Sequence, residues 1–559
     1  MTASDAAEQH EPVAPTPPAA VPPRLPDIED IGGKEDEAFD PVRGGLDRRI
    51  EIGASGWYGL LTVLGLLIAF GMRFSQLNIY SMAQGEAQWA YDSWALYLGK
   101  QLPNGADLPT TSPLFLLLQS LSYFLFGVTD AIARIVPAIF GLLLVVLILL
   151  LRPFLSRFAI VGMILLAAVS PTLVYTSRTS EPDILVGFCS FLFFVALLRA
   201  GAEGTKLTTT WMAVAGFAFA GTLASGPDGV TALIAVLIGL GVAVVTDSSS
   251  ASKTQGAVAA SIRTVIANRR ALASGVAAAI VTIFVLFTRG FSDATALSGL
   301  GTTFSDWGKM MTTQSSNTPI PFFFYTTLLY EILAVVFAIV AVTAGRSKDV
   351  ESDSRHDLNA TAFVTWFVVA LLLESFASGK QPDQLSIVTL PLVLLGGVGL
   401  GYMLERIPWS RMLNSTAGVV PIALAGILIG VIAALTLVAR SNDPAQQNES
   451  FLDIAMPIVF VLVIVVAPLI FLLAGETASR RQISHLGWSA LLVVAVLLGL
   501  YTIGSSTSLS FSRADTGLEP AAQGTSTSGL KAFVNQTLRL SRDMTDGNVS
   551  NIDNTGSYG

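Results

Sequence analysis

The sequence predicts an all-α, polytopic membrane protein with about 13 transmembrane helices. Three observations carry that prediction. Apolar residues make up 52% of the chain and charged residues only 13%, with a mean hydropathy of +0.63. A soluble globular chain carries about 25% charged residues. The apolar residues cluster in repeated runs near membrane length, since a helical span needs about 20 residues. These runs do not alternate apolar with polar, as the strands of a membrane barrel must.

Residues 1–55 are rich in Pro, Ala, Asp and Glu. Such a stretch cannot bury a core and is expected to be a disordered cytoplasmic tail. It lacks the basic start, apolar stretch and small-residue cleavage site of a signal peptide. Arg48 and Arg49 precede the first span and favour a cytoplasmic N-terminus. Within a membrane domain over 56–504, spans are expected near 57–73, 131–151, 158–176, 183–199, 210–225, 229–246, 271–288, 321–344, 360–377, 384–403, 416–438, 452–474 and 487–504. A polar tail, 505–559, follows.

The loop 74–130 is too polar in its first half to span. Ala87, Tyr91, Trp94 and Leu98 share one helical face there. The apolar segment Pro113–Phe126 has 14 residues, about 21 Å of helix, and is short of a span. Two helices lying in or dipping into the interface are therefore expected in this loop. With the loop outside, every inner loop carries at least two basic residues and the later outer loops are poor in them. Counting Pro113–Phe126 as a span would swap every later loop and break that rule. The outer face then gathers 74–130, 177–183, 289–320, 378–383 and the tail. No internal repeat appears, which counts against an inverted-repeat transporter.

Composition also excludes some chemistry. The one cysteine, Cys189, lies in an apolar run, so there is no disulfide framework or thiolate metal site. The three histidines, His10, His356 and His485, map to the cytoplasmic side, and no metal-ligand spacing is present. A metal on the outer face would depend on carboxylates such as Glu86 and Asp183. The net charge of −8 gives no support to nucleic acid as a partner.

Six motifs occur in order: GEAQWA at 85–90, TSPLFLLLQSLSYFLFG at 111–127, ARIVPAIFGLL at 133–143, SPTLVYTSRTSEPD at 170–183, PFFFYTTLLYE at 321–331 and GKQP at 379–382. As an ordered set, over about residues 57–404, they resemble the lipid-linked-sugar-dependent glycosyltransferases of the GT-C type. Protein O-mannosyltransferases, the aminoarabinose transferase of lipid A and a prokaryotic mannosyltransferase branch are relatives of that type. The resemblance implies transfer of a mannose-like sugar from a polyprenyl-phosphate donor to an acceptor on the outer face of the cell membrane. The acceptor, whether protein, lipid or glycan, stays open, and no cofactor is expected. Acceptor choice would lie in 289–320 and the tail.

Such transfer needs a carboxylate to take the hydroxyl proton and cations to meet the departing phosphate. The family carries an Asp–Glu pair in its first loop, with the Asp as base. Here that pair reads Gly85–Glu86. The base is then Glu86 or Asp92, or transfer has been lost. Asp183 matches an acidic family position facing the reaction centre, although a helix dipole alone also favours a carboxylate there. Lys380 and Arg178 are the candidates for holding the donor phosphate, against simple snorkelling of Lys380 to headgroups. Glu331 and Glu374 lie within or near spans, where ionisable groups face a cavity or a partner. Arg134 is placed to pair with Asp130. Two other readings stay open: a flippase for a lipid-linked precursor, and a non-catalytic assembly protein. Convergence of Glu86, Asp183, Arg178 and Lys380 on one cavity would weaken the last.

Overall fold

The computed structural model describes residues 54–99, 111–202, 207–249, 256–344 apart from 292, 315 and 317, then 358, 360–407, 480–512, 514, 519–522 and a few positions within 533–540. Before Trp57 this covers only the opening turn of α1; the rest lies in the unit Trp57–Gly559. Among these residues all regular structure is helical.

Eleven of the thirteen expected spans fall on described residues, and each is helical. Among the described residues, six helices are long and apolar enough to cross a membrane, and a bent pair makes a seventh. The expected spans at 416–438 and 452–474 lie outside the described residues. The elements that build the site are α1 (Ala54–Phe74), α2 (Gln84–Leu98), α3 (Pro113–Phe126), α4 (Asp130–Ala133), α5 (Ile135–Leu147), α6 (Arg157–Val169), α7 (Pro171–Thr176) and α8 (Asp183–Gly201). They are followed by α9 (Thr208–Ala224), α10 (Asp228–Ser249), α11 (Ala257–Ala267), α12 (Arg269–Phe287) and α13 (Gly299–Thr312). The last are α14 (Phe322–Tyr330), α15 (Ile332–Ala344), α16 (Thr361–Phe376), α17 (Leu385–Arg406) and α18 (Arg480–Thr507).

Helix α17 is buried along nearly its whole length and forms the axis of the bundle. It is rich in small residues, and they set its packing distance. A Cβ at Gly397 or Gly401 would run into the Met163 or Ala159 backbone of α6, and one at Gly399 into Phe337 of α15. Close approach through small residues is the usual route to helix association where lipid removes the hydrophobic driving force.

The first loop has the two helices expected of it, α2 and α3. Helix α3 leaves Leu121, Phe124, Leu125 and Phe126 exposed and buries Phe115, Gln119 and Tyr123. Helix α2 is inverted relative to a soluble amphipathic helix. Its apolar residues Ala87, Tyr91 and Leu98 face out, while Glu86, Asp92 and Ser93 are buried. Apolar side chains turned outward and polar ones turned into protein suit a helix bathed in lipid.

Two broken helices meet. The α6 helix stops at Ser170, whose hydroxyl accepts from Leu173 N, and Pro171 opens α7. The pair α14–α15 bends by 94°. Glu331 stands at that bend and accepts from Ser170 Oγ at 2.5 Å and Thr172 N at 3.2 Å. One buried carboxylate thus ties both breaks together, which is the partner that a charge in a span requires.

Candidate active site

The site forms where the first loop meets the 177–183 turn. Glu86 is 4% exposed. Its Oε1 accepts from Arg134 Nε at 2.9 Å and from Ser180 N at 2.8 Å. Its Oε2 accepts from Arg134 Nη2 at 2.9 Å and from Ala83 N at 3.1 Å. Arg134 makes a two-pronged ion pair with Glu86, as the fork geometry of a guanidinium and a carboxylate allows, and Asp130 lies within electrostatic reach of it. Its remaining donors hold the carbonyls of Leu77, Tyr80 and Ser81. The polar pair Ser93–Gln119 extends the join, with Gln119 Nε2 donating to Ser180 Oγ at 2.6 Å.

Arg178 holds the preceding stretch. It donates to the carbonyls of Met72, Ser75 and Gln76, at the C-terminal end of α1. A guanidinium there meets the helix's free carbonyls and its negative dipole end. Burial and the nearby charge of Arg134 lower the Arg178 guanidinium to about 10, so it stays positive at neutral pH. Glu86, Arg134 and Arg178 line one cleft with Ser81, Tyr80, Tyr175 and Ser510. Since Glu86 and Arg134 cancel, the cleft has one net positive charge. The hydroxyls of Ser81 and Ser510 are buried there without hydrogen-bond partners. A positive cleft with spare donors is suited to an anion.

Beside the cleft lies a carboxylate cluster. Oxygens of Glu181, Asp183 and Asp383 lie within 4.8 Å of one another. The Glu181 carboxyl is held well above the usual carboxylate range, first by burial and then by the charges of Asp383 and Asp183. Glu86 and Arg134 act on it as well, so cleft and cluster are neighbours. Behind the cluster, Gln384 Nε2 donates to Asp228 Oδ1 at 3.0 Å. Glu374 is fully buried within electrostatic reach of Asp228, Asp383 and Asp183. Three helix starts converge here, at Asp183, Asp228 and Pro382–Gln384. Their positive dipole ends offset part of the crowded negative charge. The three clustered carboxylates are also hard oxygen donors of the kind that could hold a divalent cation.

Among known proteins, residues 109–266 match the family model described as dolichyl-phosphate-mannose-protein mannosyltransferase. Across 83% of this chain and 79% of the other, the structure superposes on ArnT from Cupriavidus metallidurans bound to undecaprenyl phosphate, at 16% identity and a TM-score of 0.52. The chain has the GT-C glycosyltransferase fold. A second similar structure is the archaeal oligosaccharyltransferase AglB from Archaeoglobus fulgidus, in complex with an inhibitory peptide and a dolichol-phosphate. It is 12% identical over 88% of this chain and 59% of that one, with a TM-score of 0.48. No curated protein matches the sequence.

Within this GT-C fold the expected site residues separate. Glu86 and Arg178 share the cleft, and Asp183 sits in the adjoining cluster. Lys380 is buried and donates from Nζ to Ala377 O at 2.8 Å, closing the turn that carries Asp383. Asp92 is buried away from the cleft lining, accepts from Gln88 Nε2 at 3.0 Å, and is raised by burial. Sequence reasoning missed Glu181, Asp228 and Asp383 as partners of Asp183. A signal was present: Pro-Asp recurs at 182–183, 227–228 and 382–383, each time at a helix start. Proline there presets the helical φ, and aspartate suits the dipole end.

Proposed function

We propose that this chain is a glycosyltransferase of the cell membrane. It moves a mannose-like sugar from a polyprenyl-phosphate donor to an acceptor hydroxyl on the outer face, with the N-terminus cytoplasmic. The observation that supports this best is the adjacency of a cationic cleft to a buried carboxylate cluster in a GT-C fold. Transfer needs those two parts side by side. The acceptor oxygen attacks the anomeric carbon, its proton passes to a carboxylate, and the carbon–oxygen bond to phosphate breaks. Polyprenyl phosphate leaves with the bonding electrons, and a fixed cation stabilises it. The mannose reading has the support of the family-model description.

We assign the base to Asp183, sharing its proton with Glu181, and the phosphate contact to Arg178. Closely spaced carboxylates titrate as a unit and can hold a proton near neutral pH. Glu86 is a poor base, because four N–H donors already occupy its oxygens. Its role is to hold the turn that carries Glu181 and Asp183. Lys380 acts likewise on the turn that carries Asp383.

Membranes containing the protein would be supplied with radiolabelled polyprenyl-phosphate mannose, and separately with the glucose donor. Transfer is expected from the wild type and should vanish in Asp183→Asn. Transfer that survives in Asp183→Asn, at a wild-type rate, would reject the assigned base. Failure of the wild type to transfer from or bind either donor would favour the non-catalytic reading.

A further inference from the structure

Two buried charges meet the break between α6 and α7. In an unbroken helix each carbonyl accepts from the N–H four residues on. Pro171 has no N–H to give to Ala167 O. The Thr172 N–H, which would serve Ala168 O, donates instead to Glu331 Oε1 at 3.2 Å. Arg73 takes both of the carbonyls left over. Its Nη2 donates to Ala167 O at 2.9 Å and its Nη1 to Ala168 O at 3.4 Å. Each charge therefore completes one side of the break, a cation at the carbonyl end of α6 and an anion at the N–H start of α7. This placement also suits the helix dipoles, negative at a C-terminal end and positive at an N-terminal one.

Both groups are deeply buried, Arg73 at 0% and Glu331 at 1% exposure. Among the described residues neither takes part in an ion pair. A buried charge is costly unless hydrogen bonds satisfy it, so each is held in place by the main-chain groups that the break sets free. Arg73 also borders the far end of α7. A Cβ at Gly141 of α5 would strike Ser177 Oγ and come to 3.0 Å from Arg73 Nε. Ser177 opens the turn that carries Arg178, Glu181 and Asp183. Arg178 returns the contact, since the carbonyls it holds, Met72, Ser75 and Gln76, flank Arg73. Two arginines thus cross-strap the end of α1 to the α6–α7 segment, each capping carbonyls of the other's stretch.

We propose that Arg73 and Glu331 are positioning residues for sugar transfer, a charge clamp that holds the α6–α7 break at the angle presenting Arg178 and Asp183 to the donor. This rests on the reading of the cleft and the carboxylate cluster as a transferase site. Neither residue lines the cleft, so both act through the main chain of 167–172. The turn that follows is fixed at its other end by Ser180 N on Glu86 Oε1. A break that changed its angle would pull the turn off that anchor and shift the phosphate contact and the base together. Small displacements of reacting groups are costly in rate, because transfer needs them already aligned.

The test uses the full-length protein in lipid nanodiscs and two readouts. Thr179→Cys is the reporter, since Thr179 lines the cleft on the turn itself and the one native thiol, Cys189, is buried. Maleimide labelling of Thr179→Cys should be slow. Adding Arg73→Met, or Glu331→Gln with its shape kept, should speed it about tenfold as the turn opens more readily. Arg73→Lys should restore the slow rate, because an ammonium still caps the two carbonyls. Gly216→Ala is the control for general loosening, as it crowds α9 against the Gly275 carbonyl of α12, and it should leave labelling unchanged. Equal rates with and without Arg73→Met and Glu331→Gln overturn the clamp, and so does equal acceleration by Gly216→Ala. In the donor assay kcat should fall about tenfold in Arg73→Met and recover to within about threefold in Arg73→Lys. An unchanged kcat in Arg73→Met overturns the role in transfer. If the wild type transfers no sugar, the transferase reading fails and the role in transfer with it. The labelling comparison still decides the clamp, because it needs no donor.

Discussion

The main-chain N–H of Ser180 donates to Oε1 of Glu86 at 2.8 Å, joining segments 94 residues apart. Glu86 is a strut between the first loop and the 177–183 turn, and Arg134 locks it from the other side.

Removing the strut should therefore unfold the region before it affects chemistry. Glu86→Gln leaves the Arg134 charge buried without its partner, a change that costs about 3–5 kcal/mol. The melting temperature should drop sharply. In a double-mutant cycle, Glu86→Gln with Arg134→Met should lose less than the sum of the two single losses. Additive losses would mean the pair is not coupled.

Glu181 sets a pH dependence. Burial, Asp383 and Asp183 push its carboxyl well above the ordinary value of 4.5. Between the ordinary and the raised value the folded chain keeps a proton that the unfolded chain has released. Its contribution to stability is full below the ordinary value and is lost as pH rises through the raised one. Thermal melts should thus show stability declining with pH, and Glu181→Gln should flatten that decline and raise stability at neutral pH. Transfer should climb with pH over the same window, since a base must be deprotonated.

Asp92 should be dispensable. It is absent from the cleft lining, and its partner is Gln88, one turn earlier on α2. Asp92→Asn keeps its shape and should keep transfer within about twofold, because a neutral amide there leaves no charge unpaired. A loss as large as that of Asp183→Asn, in the same donor assay, would return Asp92 to the reaction centre.

Arg178 and Lys380 should differ in the quantity they change. Arg178→Lys keeps a charge but not the planar fork that grips Met72, Ser75 and Gln76. It should raise KM for the lipid donor. Lys380→Met loses one hydrogen bond to Ala377 O, about 1 kcal/mol. Its effect should fall on kcat through Asp383, with donor affinity little changed. Equal KM effects from both variants would place Lys380 at the phosphate.

The axis of the bundle offers a control remote from the site. Gly399→Ala drives a methyl into the Phe337 backbone, and overpacking of this kind costs about 1–3 kcal/mol. Melting should fall while the pH profile of transfer keeps its shape.

The sequence by itself determined the membrane class and the helical positions among the described residues, including the short helix Pro113–Phe126. These follow from run length, periodicity and charge placement, which are local properties of the chain. It also pointed to Glu86, Arg178 and Asp183. Which groups each of them meets was decided only by tertiary structure. Whether a carboxylate is a base or a strut depends on which donors surround it, and those of Glu86 come from 83, 134 and 180. The cluster of Glu181, Asp183 and Asp383 joins residues 200 positions apart, so no spacing rule could group them. Helix packing brings the starts at Asp183 and Pro382 together beside Glu181, and burial with the neighbouring carboxylates raises the Glu181 carboxyl well above its ordinary value.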